Sequence, residues 1–352
     1  MNRTARTLLA AMLSIALVAG LAGCSKPAAS AGTNASVAPA KVRIGTLPTE
    51  DSLPLWVAER DGLFKKAGLD VSIQVFQSAQ ERDAALTAGA IDGFMGDMIA
   101  ASALRAGGVP VKVVTVMLGG TPAEGRFGIA VKPGSKITSL KQLKNVPIGV
   151  SSATIQEYVM DTMLKGAGVA TASVVKEEVK KVPVRFELLM SGKLEAAALP
   201  EPFLSLAAKT GGRILADDTK ASASDIPSKC VECTKTAAGD WASGGNISQT
   251  VMIFAQKYLD DPAGSAAVVK LLGVWDESVG IVNKDPNALR ALLVEKARLP
   301  EPLATSYAVN HYPTAQLPTQ PEFNAVTSWM RYDGLLKTAL TYDDLMWTAP
   351  AK

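Results

Sequence analysis

The 352-residue chain contains one histidine, His311. A serine or cysteine triad, a histidine general base and a histidine-rich zinc site would each have to pass through it. It stands in Asn310-His311-Tyr312-Pro313, a loop-like context that favours a surface imidazole. Other machinery is missing as well: there is no Gly-rich loop ending in Lys-Ser or Lys-Thr, no His-Glu-x-x-His, and no Gly-x-Gly-x-x-Gly after a strand. Cysteine is scarce, at three residues, and aromatics make up 5%. An excess of one charge is also lacking, since 36 basic residues face 33 acidic ones, and this excludes the footprint of a nucleic-acid binder. No catalytic residue, metal site or cofactor is expected from these absences.

The chain opens with Arg3 and Arg6, then an apolar run from Leu8 to Ala19. The run is shorter than the roughly 20 residues of a spanning helix, so residues 1–23 read as an export leader. Leu21-Ala22-Gly23-Cys24 resembles the lipobox of bacterial lipoproteins. That likeness implies a diacylglycerol on the Cys24 sulfur and an acylated amine. Two or more acyl chains, at about 0.8 kcal/mol per buried CH2, hold a protein stably on a membrane. An ordinary signal peptide with an incidental Cys24 is the alternative. Ser25 to Ala40 is rich in Ala, Ser, Gly, Pro and Thr, so residues 24–40 read as a flexible tether. The folded part then starts near Lys41.

The two halves of the remainder echo each other. Val42-Arg43-Ile44-Gly45 returns as Val146-Pro147-Ile148-Gly149, each a short apolar strand entering a polar turn. The interval from Gly45 to Gly62 equals that from Gly149 to Gly166, and each holds a helical pattern, Leu53 to Arg60 and Gln156 to Leu164. Leu86 to Gly93 matches Leu189 to Ala196, a helix end with its glycine followed by a short strand. With strands at Val71 to Val75 and Val111 to Val116 and a helix from Ile99 to Ala106, each half reads as a βαβαβ unit. The expected fold class is therefore α/β with two lobes and a crevice between them. Residues 41–126 with about 245–352 form lobe 1, and 127–244 form lobe 2.

Ligands of open α/β sheets sit beyond the carboxyl ends of the strands, near helix N-termini. Four loops qualify: Leu47 to Ser52 and Gly96 to Met98 in the first half, Ser151 to Thr154 and Pro200 to Pro202 in the second. The candidate ligand-binding residues are Pro48, Thr49, Glu50, Asp51, Trp56, Asp97, Met98, Arg126, Ser151, Ser152, Thr154 and Glu201. Thr154 also has capping-box spacing to Glu157, Trp56 could pack in the core instead of forming an aromatic wall, and Met95 and Met98 suit core positions. Glu50 and Asp51 could be a solvated rim, whereas Asp97 and Glu201 directly follow apolar strands. If two of these acids face the crevice they favour a cation or a donor-rich heterocycle over an anion. Arg126, near the expected hinge, argues the other way, as a clamp for a carboxylate or sulfonate.

The chain resembles the extracytoplasmic solute-binding proteins of nitrate, sulfonate and taurine type ABC importers, which also include binders of a thiamine-pyrimidine precursor. The likeness is carried by Leu55 to Phe64, Gly68 to Val71, Ala88 to Asp92, Gly107 to Val113, Ser139 to Asn145, Leu189 to Pro202 and Gly211 to Leu215. It covers Lys41 to about Thr219 and is general beyond Cys230. The resemblance implies a two-lobed periplasmic-binding-protein fold, type II-like, each lobe a βαβαβ-based sheet flanked by helices. It also implies a monomer that closes on a small molecule and hands it to an ABC permease with its ATPase, outside the cytoplasm and lipid-anchored through Cys24. An enzyme of cofactor-precursor synthesis and a sensor or adhesion lipoprotein are the alternatives, since fold alone does not give function.

Cys230 and Cys233 form a C-x-x-C pair that outside the cytoplasm can close a short disulfide, with free thiols or redox chemistry as alternatives. The Gly-rich stretch Trp241 to Asn246 reads as a connector that could reach the crevice. Val251 to Tyr258, Ala263 to Val282 and Asn287 to Ala297 carry helical periodicity.

Overall fold

Fully buried Val42 and Ile44 alternate with exposed Lys41 and Arg43, which makes Ala40–Thr46 a strand, β1. The computed structural model describes residues 39–119, 124, 127–218, 248–297 and 301–350. Cys24, Arg126, Cys230, Cys233 and the stretch Trp241 to Asn246 lie outside the described residues.

From β1 the chain passes through helices α1 (Leu53–Arg60) and α2 (Leu63–Lys66) to β2 (Leu69–Val75). Gly62 joins the two helices at φ 68°, a backbone angle glycine adopts without Cβ strain. Helix α3 (Ala79–Thr87) leads to β3 (Gly93–Gly96), and α4 (Met98–Ala106) to β4 (Val111–Leu118). The second half repeats the course after β5 (Phe127–Val131): β6 (Pro147–Val150), α5 (Ile155–Gly166), β7 (Val175–Glu178), α6 (Val182–Met190), β8 (Ala196–Pro200), α7 (Phe203–Lys209) and β9 (Arg213–Asp217). A tenth strand, β10 (Thr250–Ala255), precedes the C-terminal helices.

The strands form two five-stranded sheets, β2-β1-β3-β10-β4 and β7-β6-β8-β5-β9. In each, three strands run parallel and the fourth is antiparallel to both neighbours. The antiparallel strand is in both cases the one that follows a crossing from the other sheet: β5 comes after β4, and β10 after β9. The α/β class and the matched halves of the sequence are thus present as two sheets of the same order.

One expectation is corrected. Val251 to Tyr258 is not a helix: Thr250–Ala255 is a central strand, and only Gln256–Asp260 is helical. The strand is paired on both edges and buried throughout, so its Val-Met-Ile-Phe run shows no polar alternation, and periodicity alone cannot separate it from a buried helix. Two further stretches are helical as expected. Pro262–Lys284 is a 23-residue helix capped by Asp261, and a 3-10 turn at Pro286–Leu289 leads into the helix Arg290–Lys296. No helix among the described residues is long and apolar enough to cross a membrane.

The long helix covers one face of the first sheet, where Trp275 and Leu271 meet Trp56 and Leu53 of α1 in one apolar cluster. The repeat extends into the buried polar groups. Arg82 of α3 is 1% exposed and donates from Nη1 to Met95 O of β3 at 2.7 Å; Arg185 of α6 is 0% exposed and donates from Nε to Ala198 O of β8 at 2.8 Å. Each arginine lies beside the glycine that ends the short strand motif. A Cβ on Gly45 would meet Ile91 Cδ1 at 2.7 Å and Arg82 at 3.3 Å, and one on Gly149 would meet Leu194 Cδ1 at 2.5 Å and Arg185 at 3.2 Å.

Neither glycine has room for a methyl group. Gly45→Ala and Gly149→Ala are each expected to lower stability by about 1–3 kcal/mol, the usual range for overpacking. Urea unfolding of the two variants checks this, and a neutral result at either position would contradict the close approach.

Candidate ligand-binding site

The carboxyl ends of β1, β2 and β3 face those of β6, β7 and β8 across one crevice of about 510 Å³, open solvent at its mouth included. From the first sheet it is lined by Leu47, Thr49 and Asp51 after β1, by Gln77, Ser78, Ala79 and Arg82 after β2, and by Met95, Gly96 and Asp97 at β3. Thr250 joins them from β10. The second sheet contributes Ser151, Thr154, Ile155 and Gln156 after β6, Lys180 and Val182 after β7, Pro200 of β8 and Phe127 of β5. Equivalent edges of the two halves therefore meet.

Helix starts converge on this space. Ser78 caps α3 by accepting from Glu81 N, and Asp97 caps α4 by accepting from Ala100 N at 2.7 Å. Thr154 caps α5 by accepting from Gln156 N and donates to Ser151 O at 2.8 Å. Asp97 also crosses the crevice, because its second oxygen accepts from Ile155 N, the first residue of α5, at 3.1 Å. At the rim, exposed Lys181 and Glu81 pair across the sheets at 3.5 Å. Ala153, between Ser151 and Thr154, holds φ 55°, a left-handed strain in the middle of the turn from β6 into α5.

The candidates named from the sequence separate into two groups. Thr49, Asp51, Asp97, Ser151 and Thr154 line the crevice; Pro48, Glu50, Trp56, Met98, Ser152 and Glu201 do not. Trp56 is 1% exposed within the core under the first sheet, and Met98 packs in the other large apolar cluster. Glu50 is buried and turned toward the C-terminal segment, accepting from Tyr307 Oη and Asn310 Nδ2, while its carbonyl accepts from Tyr312 Oη at 2.7 Å. Glu201 accepts from Ser205 N at 3.1 Å and Ser205 Oγ at 2.8 Å, capping the start of α7. The Ser152 amide donates to Glu178 Oε2 at 3.0 Å. His311 is exposed.

Gln77, Ser78, Ala79, Lys180 and Val182 were not singled out in the sequence. The rule that found the other loops also covers these, since they follow β2 and β7, the parallel strands at one edge of each sheet. Gln156 and Arg82 carry no sequence signal of this kind, because a polar residue inside a helix reads as a solvated face.

Burial sets the charge states. Asp51 is 5% exposed and accepts from Thr49 Oγ1 at 2.7 Å; loss of water raises its pKa to about 6. Glu50 is raised to about 8, chiefly by burial, with Glu201 of the opposite sheet adding to the effect. Asp97 is also raised by burial, against the pull of the amides it accepts from. Away from the crevice, Glu157, Asp161 and Asp333 gather within 4.8 Å of one another, and Lys176 Nζ already bridges Glu157 at 2.6 Å and Asp161 at 3.0 Å.

A model of the NMT1-like family matches residues 35–273. Curated proteins give no match. Solved structures do: the alkanesulfonate-binding protein SsuA from Xanthomonas axonopodis pv. citri, bound to MOPS, is similar at 17% identity and TM-score 0.70 over 89% of this chain and 99% of its own. The periplasmic nitrate-binding protein NrtA from Synechocystis PCC 6803 is similar at 14% identity and TM-score 0.62, over 86% and 83%. The desulfurization enzyme DSZB is similar at 14% identity and TM-score 0.59, over 87% and 96%. These likenesses establish the periplasmic-binding-protein fold.

The raised carboxyls give a pH dependence with a definite sign. A carboxyl whose pKa is higher in the folded than in the unfolded chain holds its proton more tightly when folded, so stability falls as pH rises between the two values. Glu50 moves from 4.5 to about 8, Asp218 from 3.8 to about 8 and Asp51 from 3.8 to about 6. Urea unfolding is expected to show stability decreasing from pH 5.5 to pH 8.5 by on the order of a few kcal/mol, with Glu50→Gln flattening the slope. A protein more stable at pH 8.5 than at pH 5.5 would contradict these assignments.

Proposed function

Because the chain belongs to the NMT1-like family, we propose that it is a solute-binding protein of an ABC importer, which captures a small molecule between two lobes and presents it to a permease. The observation that carries this reading is the crevice itself, lined in near-equal part by the matched strand ends of both sheets. A ligand favours closure only if it gains contacts from both sides, since equal contact in open and closed states shifts no population. The solutes in the names of two similar proteins, an alkanesulfonate and nitrate, support a small polar molecule as the ligand. The contact set is Thr49, Asp51, Gln77 and Asp97 from one sheet, and Ser151, Thr154, Gln156 and Lys180 from the other.

Among the described residues the lining contains neither histidine nor cysteine, and the hydroxyls of Thr49, Ser78 and Thr154 serve as caps or as partners of a carboxylate, which suits capture better than chemistry. The fold's occurrence in a desulfurization enzyme makes catalysis the second reading. The lobes comprise residues 41–126 with about 245–352, and 127–244. Lipid on Cys24 holds the protein at a bacterial membrane outside the cytoplasm, with residues 24–40 as the tether; this rests on Leu21 to Cys24 and on the short apolar run before it.

Two measurements test the reading. A thermal-shift screen over taurine, alkane sulfonates, nitrate, aminopyrimidines and amines is expected to give one stabilising class, following RT ln(1 + [L]/Kd). For that class, Asp51→Asn and Thr154→Ala, one on each sheet, should each weaken affinity at least about tenfold, as loss of a buried hydrogen bond does. An effect from one side only would sink the two-lobed clamp. Separately, Cys24→Ala should move the protein from the membrane fraction to the soluble one, and unchanged membrane association would remove the lipid anchor.

A further inference from the structure

The turn from β6 into α5 has the geometry of an anion seat: a strand end, a strained left-handed residue and the first amides of a 12-residue helix. Four of its amides are already taken by the protein's own acceptors. Ser152 N donates to Glu178 Oε2 at 3.0 Å, Ala153 N to Glu157 Oε2 at 2.6 Å, Ile155 N to Asp97 Oδ2 at 3.1 Å and Gln156 N to Thr154 Oγ1 at 3.3 Å. Three of the four acceptors are carboxylates, and one of them, Asp97, arrives from the opposite sheet. Across the crevice, the amide of Ala100 in α4 is held by the same Asp97, and Gln77 N beside α3 by Glu81 Oε2 at 3.1 Å.

The cations of the lining offset this only in part, through the charge of Arg82 near Asp97. Arg82 is fully buried and committed, with Nε and Nη2 on Asp83 at 3.0 and 2.8 Å and Nη1 on Met95 O at 2.7 Å. Lys180 is exposed, where water screens its charge. Acceptor capacity remains toward the ligand in the carboxyl of Asp51, with the Thr250 hydroxyl beside it in the same crevice.

We propose that Asp97 is a specificity-determining residue: it fills the seat between the starts of α4 and α5 as an internal anion, and so restricts the crevice to solutes without net negative charge that donate hydrogen bonds, such as amines and amides. The proposal rests on the solute-capture reading and narrows it. An anion entering the seat would have to displace a carboxylate that is tethered, buried and bonded on both sides. It would also leave that carboxylate close by as a like charge. An N–H donor meets Asp97 and Asp51 as acceptors.

The test removes the internal anion and keeps the helix cap. Serine at this position can still accept from Ala100 N, as serine and aspartate are comparable caps, while Ile155 N is freed. The full chain and its Asp97→Ser variant are titrated calorimetrically with ethanesulfonate, nitrate and sulfate, and Asp97→Asn serves as an isosteric second variant that loses the charge alone. Urea unfolding establishes that each variant is folded. The wild type is expected to bind none of the three anions below about 1 mM, and a folded variant to bind at least one of them at least about tenfold more tightly, the usual scale for a charge-assisted contact. Submillimolar anion binding by the wild type would overturn the proposal while leaving solute capture intact. So would folded variants that gain no anion affinity. A wild type that no amine or amide stabilises, but that an anion does, separates the two readings in the same way.

Discussion

Asp218 holds the place where the chain passes between its two sheets. It stands directly after β9 of the second sheet, accepts from the amide of Phe127 at the start of β5 at 2.8 Å, and accepts from Gln249 Nε2 just before β10. Beside it, Ser248 N donates to Gly119 O at 3.1 Å, which joins the exit of β4 to the entry of β10. Both crossings are therefore bonded to each other near the buried carboxyl of Asp218. Because the two antiparallel strands enter from these crossings, the direction of every parallel strand relative to the crevice follows from them. The geometry leaves both sets of carboxyl ends facing one space, and the lining of the crevice is a consequence of that.

The crossing has an electrostatic cost that burial makes visible. Asp218 is raised to about 8, with burial the largest cause and neighbouring Asp217 adding to it. A proton on Asp218 lets the side chain donate as well as accept, and its two strong partners compensate for lost water. Glu50 follows the same logic at the other contact between halves, where Tyr307 and Asn310 hold it against the repulsion of Glu201. Polar groups that appear from their position to await a ligand are thus engaged in holding the C-terminal segment and the second sheet against the first.

The strands, the repeat and the carboxyl-end rule were legible because they depend on backbone periodicity and spacing, which survive any choice of surface residues. Gly45 and Gly149 marked equivalent points in sequence, and in the structure they sit against Ile91 and Leu194, equivalent again. The strand at Thr250–Ala255 was not legible as one, since full burial removes the alternation that identifies a strand. Arg82 and Arg185 were not legible either. An arginine in a helix normally extends its head to water, and only the tertiary structure supplies the strand carbonyls that accept from these two. The acids after the strands were half legible: Asp97 lines the crevice and so does Asp51, which also read as a solvated rim, while nothing in position showed that Glu50 and Glu201 had partners of their own.

The two halves share a backbone plan but divide the polar work unequally, and this asymmetry gives the crevice its chemistry. On the second sheet the turn after β6 supplies a row of amides, a positive edge. On the first sheet the equivalent turn after β1 supplies Thr49 and Asp51, a negative one. Left alone, such a pair of edges would orient a dipolar solute with its acceptor toward α5 and its donor toward Asp51. Asp97 alters that balance, because it comes from the first sheet and satisfies the amide of Ile155 on the second. With that donor engaged, what remains to be matched is acceptor capacity. The Asp97 contact also ties the two sheets together, since one side chain accepts from Ala100 N of α4 and from Ile155 N of α5.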